Sequence, residues 1–133
     1  HPDALIIGSD QSAILNGKVL HKPGDHETAR EQLKQASGQT ITFQTGLCLL
    51  NAETGHLQSK LVPYTVTFRQ LSNETIESYL QAEKPYNCAG SFKSEGLGIA
   101  LFEKMQGDDP SALIGLPLIE LTNMLNNESY PVL

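Results

Sequence analysis

The sequence predicts an α/β fold in which a mixed β-sheet with a long antiparallel hairpin is flanked by helices. Two segments, from Thr40 to Leu50 and from Leu57 to Phe68, alternate apolar and polar residues with the period of two that is typical of strands. A polar turn joins them. Segments with helical spacing of apolar residues precede and follow this hairpin, and 133 residues are typical of a single domain, here 1–133.

The first strand is predicted from Leu5-Ile6-Ile7, an unbroken apolar run that is typical of a strand buried on both faces. The run leads into Gly8-Ser9-Asp10-Gln11, and open α/β sheets bind ligands just outside the carboxyl ends of such strands. Asp10 is therefore predicted to be the functional carboxylate of the site. The alternative is that Asp10 holds the turn or caps the next element.

Local signals predict the next two elements. The pair Asn16-Gly17 between short apolar runs predicts a small ribbon in which Ser12–Leu15 pairs with Lys18–Leu20. Asp25 is a good N-cap residue for a helix from about His26 to Ala36. Both elements therefore precede the long hairpin.

The hairpin strands have their own internal pattern. One face of the first strand is predicted to be buried, and it carries Ile41, Phe43, Thr45, Leu47 and Leu49. Pro63 in the return strand indicates a sheet edge or a bulge, because proline cannot donate to a ladder. Ser72 or Asn73 then caps a helix that extends to about Ala82.

The segment from Cys88 to Gly98 is rich in small residues, which allow the backbone to approach a ligand or another strand closely. The alternative is a tight loop that binds no ligand. A short strand is predicted from Ile99 to Met105. A last helix is predicted to open at Gly115-Leu116-Pro117, with Pro117 at its first position.

The composition excludes several classes of function. The net charge is -6, and no cluster of lysine and arginine matches a nucleic-acid backbone. No apolar run approaches the roughly 20 residues of a membrane span, and no secretory signal is recognisable. We therefore expect a cytoplasmic protein with reduced, buried thiols at Cys48 and Cys88. The chain begins with His1 rather than Met, as expected of a processed form or a fragment.

Four charged residues in segments marked by glycine or proline are candidates for a functional site: Asp10, Lys22, Lys93 and Glu95. If they converge on one cleft, they suit polyphosphate hydrolysis. Carboxylates hold a divalent cation and accept a proton from water, and lysines add positive charge for phosphates. The alternative for each lysine and for Glu95 is a solvated surface charge.

Five stretches in this order resemble the motifs of the Maf family, and more closely those of its YceF-like branch: Leu5–Gln11, His21–Pro23, Phe43–Gly46, Cys88–Gly96 and Leu113–Leu118. The resemblance covers nearly the whole chain. It implies a Maf fold, similar to that of inosine triphosphatases, and a nucleoside triphosphate pyrophosphatase that acts on 7-methyl-GTP.

The resemblance also implies roles for single residues. Asp10 matches the proton acceptor and is expected to bind a divalent metal cation, Mg²⁺ or Mn²⁺. Gln11 and Glu95 match positions that select the base, and Lys22 and Lys93 match the phosphate end. The chemistry of Glu95 agrees, because a carboxylate accepts from the N–H groups of guanine and is attracted to the positive charge of the N7-methylated base.

One motif of the family is missing from this sequence. The opening strand and its Ser-x-Ser-Pro-x-Arg-Arg loop, which binds phosphate, are not found. The chain is therefore expected to be truncated at its N-terminus, with an unpaired sheet edge that favours a homodimer. The alternative to the enzyme is a non-catalytic nucleotide-binding or interaction module.

Overall fold

The computed structural model describes residues 2–133, and His1 of the predicted domain 1–133 lies outside that range. A five-stranded sheet lies at the centre, in the order β2-β1-β3-β4-β5. The strands are β1 (Leu5–Leu15), β2 (Lys18–Leu20), β3 (Thr40–Asn51), β4 (Leu57–Phe68) and β5 (Phe102–Gln106). The helices are α1 (His26–Ala36), α2 (Asn73–Glu83), α3 (Ser111–Ile114) and α4 (Leu118–Asn127).

The predicted fold class, a sheet with a long antiparallel hairpin and flanking helices, is confirmed. The β3–β4 hairpin pairs continuously from Thr40 with Thr67 to Leu50 with Leu57. The predicted mixing of parallel and antiparallel strands is not found in the described residues. Within residues 2–133 every strand pairing is antiparallel, because the helical connections do not form the crossovers that parallel neighbours need. Pro63 lies beyond the part of β4 that pairs with β5, and it therefore sits at a sheet edge, one of the two predicted settings.

Strand β1 differs from its prediction. It does not end before Gly8 but continues to Leu15 and pairs with β3 along its length. Asp10 therefore lies in the middle of the strand, opposite Gly46, and not at its carboxyl end. Ile6 and Ile7 are 49% and 47% exposed, so the strand is not buried on both faces. An apolar run alone did not reveal this, because Gly8 and Asp10 have low strand propensity and it is the pairing with β3 that keeps them in the strand.

The first two helices match their predictions closely, because their caps are local. The side chains of Asp25 and Ser72 accept hydrogen bonds from the backbone N–H groups of Thr28 and Thr75. The last helix starts one residue after Pro117, which is its N-cap and not its first helical residue.

The region between α2 and α4 was predicted less well. Residues Leu97–Leu101 form a 3₁₀ helix, so the last strand of the sheet starts at Phe102 rather than Ile99. The short helix α3, Ser111–Ile114, was not predicted. None of the helices in the described part of the chain has the length and apolar run that a membrane span requires.

A cluster of aromatic rings anchors the loop between α2 and β5. Phe92 from this loop meets Phe43, Phe68 and Phe102 edge to face, with ring centroids 5.2 to 5.4 Å apart. All four rings are buried. Such edge-to-face pairs add to the hydrophobic stabilisation of burial. Phe92 therefore fixes the loop that continues into Lys93 and Glu95.

Candidate active site

One cavity of about 300 Å³ is lined by four of the five side chains that the sequence predicts for the site: Gln11, Lys22, Lys93 and Glu95. They come from β1, from the loop after β2 and from the loop after α2. The folded chain thus brings together residues that lie far apart in the sequence. A volume at the lower end of the usual range for ligand cavities suits a nucleobase better than a whole nucleotide.

Asp10 does not line this cavity, which corrects the expectation of a single cleft. It lines a separate open groove of about 670 Å³ together with Gly8, Gly46, Lys60 and Leu61. The reason is the pleat of β1, because successive side chains of a strand point to opposite faces of the sheet. Gln11 is therefore on the cavity side and Asp10 on the groove side.

The outer edge of β1 lies between the two faces of the sheet that carry the cavity and the groove. β2 pairs with β1 only from Ala13 to Leu15, so within residues 2–133 no strand pairs with the outer edge of β1 at Asp10 and Gln11.

Gln11 is held firmly by its side-chain amide. Its Nε2 donates to Thr45 Oγ1 at 3.2 Å, to the carbonyl oxygen of Ala112 at 2.8 Å and to that of Leu113 at 3.1 Å. The two carbonyls belong to α3, which Asp109 supports through hydrogen bonds from Ser111. These partners were missed as functional residues in the sequence, although a threonine within the buried face of β3 was a usable signal.

Helix α2 positions the loop that carries Lys93 and Glu95. The backbone N–H of Lys93 donates to the Tyr79 hydroxyl at 2.8 Å, and that of Leu97 donates to Glu83 Oε1 at 3.0 Å. A Cβ atom at Gly98 would collide with the backbone of Lys93, so glycine is required there for the loop to close. The backbone is thus fixed, while the charged ends of Lys93 and Glu95 are exposed.

Lys22 is placed by its neighbours. Pro23 is buried, and the backbone N–H of Gly24 donates to the carbonyl oxygen of Tyr86 at 2.9 Å. The loop after β2 therefore lies against the segment that follows α2. This contact brings Lys22 to the same cavity as Lys93.

The thiol of Cys88, which also lines the cavity, is not suited to act as a nucleophile. Burial raises its pKa, and the nearby charge of Glu95 raises it further, so the neutral thiol dominates at pH 7. Cys48 and Cys88 are both free, as predicted, but each is half-buried rather than buried.

The donor set for a metal is small. Among residues 2–133 no group of three or more His, Cys, Asp or Glu side chains is placed to hold a metal ion. Asp10 is the one carboxylate that lines the groove. A single carboxylate fits Mg²⁺ or Mn²⁺ when phosphate oxygens and water supply the remaining ligands, whereas it cannot form an all-protein cage.

Comparison with known proteins gives a consistent result. The sequence model of a family described as "Maf-like protein" matches residues 1–128. A "7-methyl-GTP pyrophosphatase" of Nitrosococcus oceani is 58% identical over 132 residues, which are 99% of this chain and 66% of that protein. Proteins of the same name from Alkalilimnicola ehrlichii and Cupriavidus pinatubonensis are 56% identical, over 99% and 98% of this chain and 66% of each relative. The chain thus spans just under two thirds of the length of these relatives.

Proposed function

This chain belongs to the Maf family, and on that premise we propose that it supplies the base-reading cavity and the reacting carboxylate of a nucleoside triphosphate pyrophosphatase. The substrate is 7-methyl-GTP, and the products are the nucleoside monophosphate and pyrophosphate. The observation that carries the proposal is the cavity lined by Gln11, Lys22, Lys93 and Glu95, together with the groove on the opposite face of β1 that holds Asp10. The names of the relatives support the choice of substrate.

The cavity suits a methylated guanine. The carboxylate of Glu95 only accepts hydrogen bonds, and guanine offers the N1–H and the exocyclic amine as donors on one edge. N7-methylation adds a positive charge to the base, which the negative charge of Glu95 favours. Gln11 lines the same cavity from the side of β1. Both side chains thus act in base selection.

The phosphates extend from this cavity towards Asp10 on the other face of β1. Lys22 and Lys93 line the cavity, where their ammonium groups offset phosphate charge. Lys60 lines the groove on the other face, but its Nζ lies 3.3 Å from Oε2 of Glu120, so its charge is shared with that carboxylate. The positive charge for the triphosphate therefore comes mainly from Lys22 and Lys93.

Asp10 acts as the general base. One carboxylate oxygen, Oδ1, accepts a hydrogen bond from the backbone N–H of Gln11 at 3.0 Å, which restricts the orientation of the carboxylate. Asp10 takes a proton from a water molecule whose oxygen bonds to the α-phosphorus, while the bond from that phosphorus to the α–β bridging oxygen breaks and pyrophosphate leaves. A divalent cation bound at Asp10 would neutralise charge on the phosphate oxygens. The homodimer and the cytoplasmic location stay predictions.

Product analysis with the complete gene product tests this function. We expect release of pyrophosphate from 7-methyl-GTP that requires Mg²⁺ or Mn²⁺, with a higher kcat/KM than for GTP or ATP. Release of single phosphates would overturn the reaction assigned to the site. Tight binding of 7-methyl-GTP without turnover would support the non-catalytic nucleotide-binding module instead.

A further inference from the structure

Thr45 is a polar residue in an apolar setting. It is 0% exposed and lies on the face of β3 that otherwise buries Ile41, Phe43, Leu47 and Leu49. A hydroxyl costs free energy in such a place unless it is hydrogen-bonded, and an aliphatic side chain of similar size would fill the space without that cost. The buried hydroxyl therefore indicates a role for Thr45 other than packing.

The partners of the Thr45 hydroxyl determine which group donates and which accepts in each hydrogen bond. Its Oγ1 lies 3.0 Å from the carbonyl oxygen of Ala112 and 3.2 Å from Nε2 of Gln11. A carbonyl oxygen can only accept, so the Thr45 proton is committed to Ala112 and the hydroxyl oxygen is left to accept from Gln11. The carbonyl oxygens of Ala112 and Leu113 also accept from the same Nε2.

These acceptors fix which end of the Gln11 amide faces the cavity. If the amide were turned over, its Oε1 would meet two carbonyl oxygens at about hydrogen-bond distance, which is repulsive. Nε2 therefore faces Thr45 and α3, and Oε1 is left for a ligand. In the part of the chain that the structure describes, Oε1 has no protein donor.

We propose that Thr45 is a positioning residue for base selection, because its hydroxyl oxygen, together with the carbonyl oxygens of Ala112 and Leu113, holds the Gln11 amide with Oε1 towards the base. Gln11 and Glu95 then offer only acceptors to the base, so the cavity favours the N–H donors of guanine and disfavours adenine, whose N1 is itself an acceptor. This inference rests on the proposed function and adds to it a side chain that helps to set the polarity of the cavity.

The pair Thr45→Val and Thr45→Ser tests the inference in the complete gene product. Valine keeps the branched shape without the hydroxyl, and serine keeps the hydroxyl. With Thr45→Val, the KM for 7-methyl-GTP is expected to rise about 5- to 10-fold with a smaller change in kcat, and the preference over ATP is expected to fall by a similar factor, as for the loss of a single hydrogen bond. Thr45→Ser, which keeps the hydroxyl, should retain the native preference for 7-methyl-GTP over ATP.

A second readout is independent of turnover. In NMR spectra, the Gln11 side-chain amide protons are expected to exchange slowly in the native protein and in Thr45→Ser, and faster in Thr45→Val. The dissociation constant of 7-methylguanosine monophosphate should rise about 5- to 10-fold in Thr45→Val and stay unchanged in Thr45→Ser.

The outcomes separate the two proposals. If the native protein does not bind 7-methylguanosine monophosphate, the proposed function fails. If it binds, and Thr45→Val is folded with unchanged affinity, preference and amide exchange, the positioning role of Thr45 is overturned. Equal losses in Thr45→Val and Thr45→Ser would also overturn it, because the hydroxyl would then not be the cause.

Discussion

Asp10 and Gln11 are neighbours in the chain, yet their surroundings are opposite. Gln11 is half-buried, and its amide makes three hydrogen bonds to β3 and α3. Asp10 is exposed, and its carboxylate accepts one hydrogen bond, from the adjacent backbone N–H. One strand thus supplies a rigid side chain to one face of the sheet and an open one to the other.

The cavities on the two faces differ in the same way. The cavity around Gln11 includes the buried rings of Phe43 and Phe92 and is therefore formed before a ligand binds. The groove around Asp10 is lined in part by Gly8 and Gly46, which leave the backbone accessible. Selection of a base needs a fixed shape, whereas a reacting carboxylate needs room for water, phosphate and a cation.

The largest effect on activity is expected from Asp10→Asn. The carboxamide keeps the shape but cannot take the proton, so pyrophosphate release from 7-methyl-GTP should fall about 10²- to 10⁴-fold. Because Asp10 is exposed, the free energy of unfolding should stay within about 0.5 kcal/mol of the native value. Asp3→Asn, at another exposed carboxylate, is the matched control. Unchanged turnover in Asp10→Asn would reject the role of Asp10.

A change on the other face should affect selection more than rate. Glu95→Gln removes the charge and keeps the size of the side chain, so the preference for 7-methyl-GTP over GTP is expected to fall about 10-fold, since the cation of the methylated base loses its counter-charge. Competition assays with the two nucleotides measure it. Glu103→Gln, at an exposed carboxylate of β5, is the control. An equal loss for both nucleotides would contradict a base-reading role for Glu95.

The smallest expected effect concerns the support of the Gln11 side. Asp109 is 5% exposed, and it accepts hydrogen bonds from the Ser111 hydroxyl and from the backbone N–H groups of Ser111 and Ile119. Burial opposes ionisation, but these hydrogen bonds outweigh it and lower the pKa of Asp109. Its stabilising contribution is therefore full above its ordinary pKa and is lost as the pH falls through the lowered value.

Asp109→Asn should thus reduce the free energy of unfolding by about 1 to 2 kcal/mol at pH 7, and the difference from the native protein should shrink below about pH 4. Urea denaturation at pH 7, 5 and 3 measures both values. Asp108→Asn, at the exposed neighbour, should show no such difference. A gap that grows in acid would contradict the assigned hydrogen bonds. The position of Asp10 should be unchanged in Asp109→Asn, because Asp10 lies on the other face of the sheet.

The elements predicted well from the sequence are those whose signals are local. Helix α1 was predicted with its observed bounds, because Asp25 caps it and its apolar residues share one face. The β3–β4 hairpin shows period-two alternation over its whole length. Helix α3 was missed, because four residues carry almost no periodic signal and its position depends on Asp109.

For the candidate site, the sequence by itself determined the chemistry of the side chains, and the alternation of any strand through Asp10 and Gln11 determined that the two must point apart. Only the tertiary structure decided that such a strand exists. Its continuation through Gly8 depends on backbone hydrogen bonds to β3, more than thirty residues away along the chain, with Asp10 opposite Gly46. Pairing between distant segments has no local signature, and it is this pairing that placed base selection and the reacting carboxylate on opposite faces of one sheet.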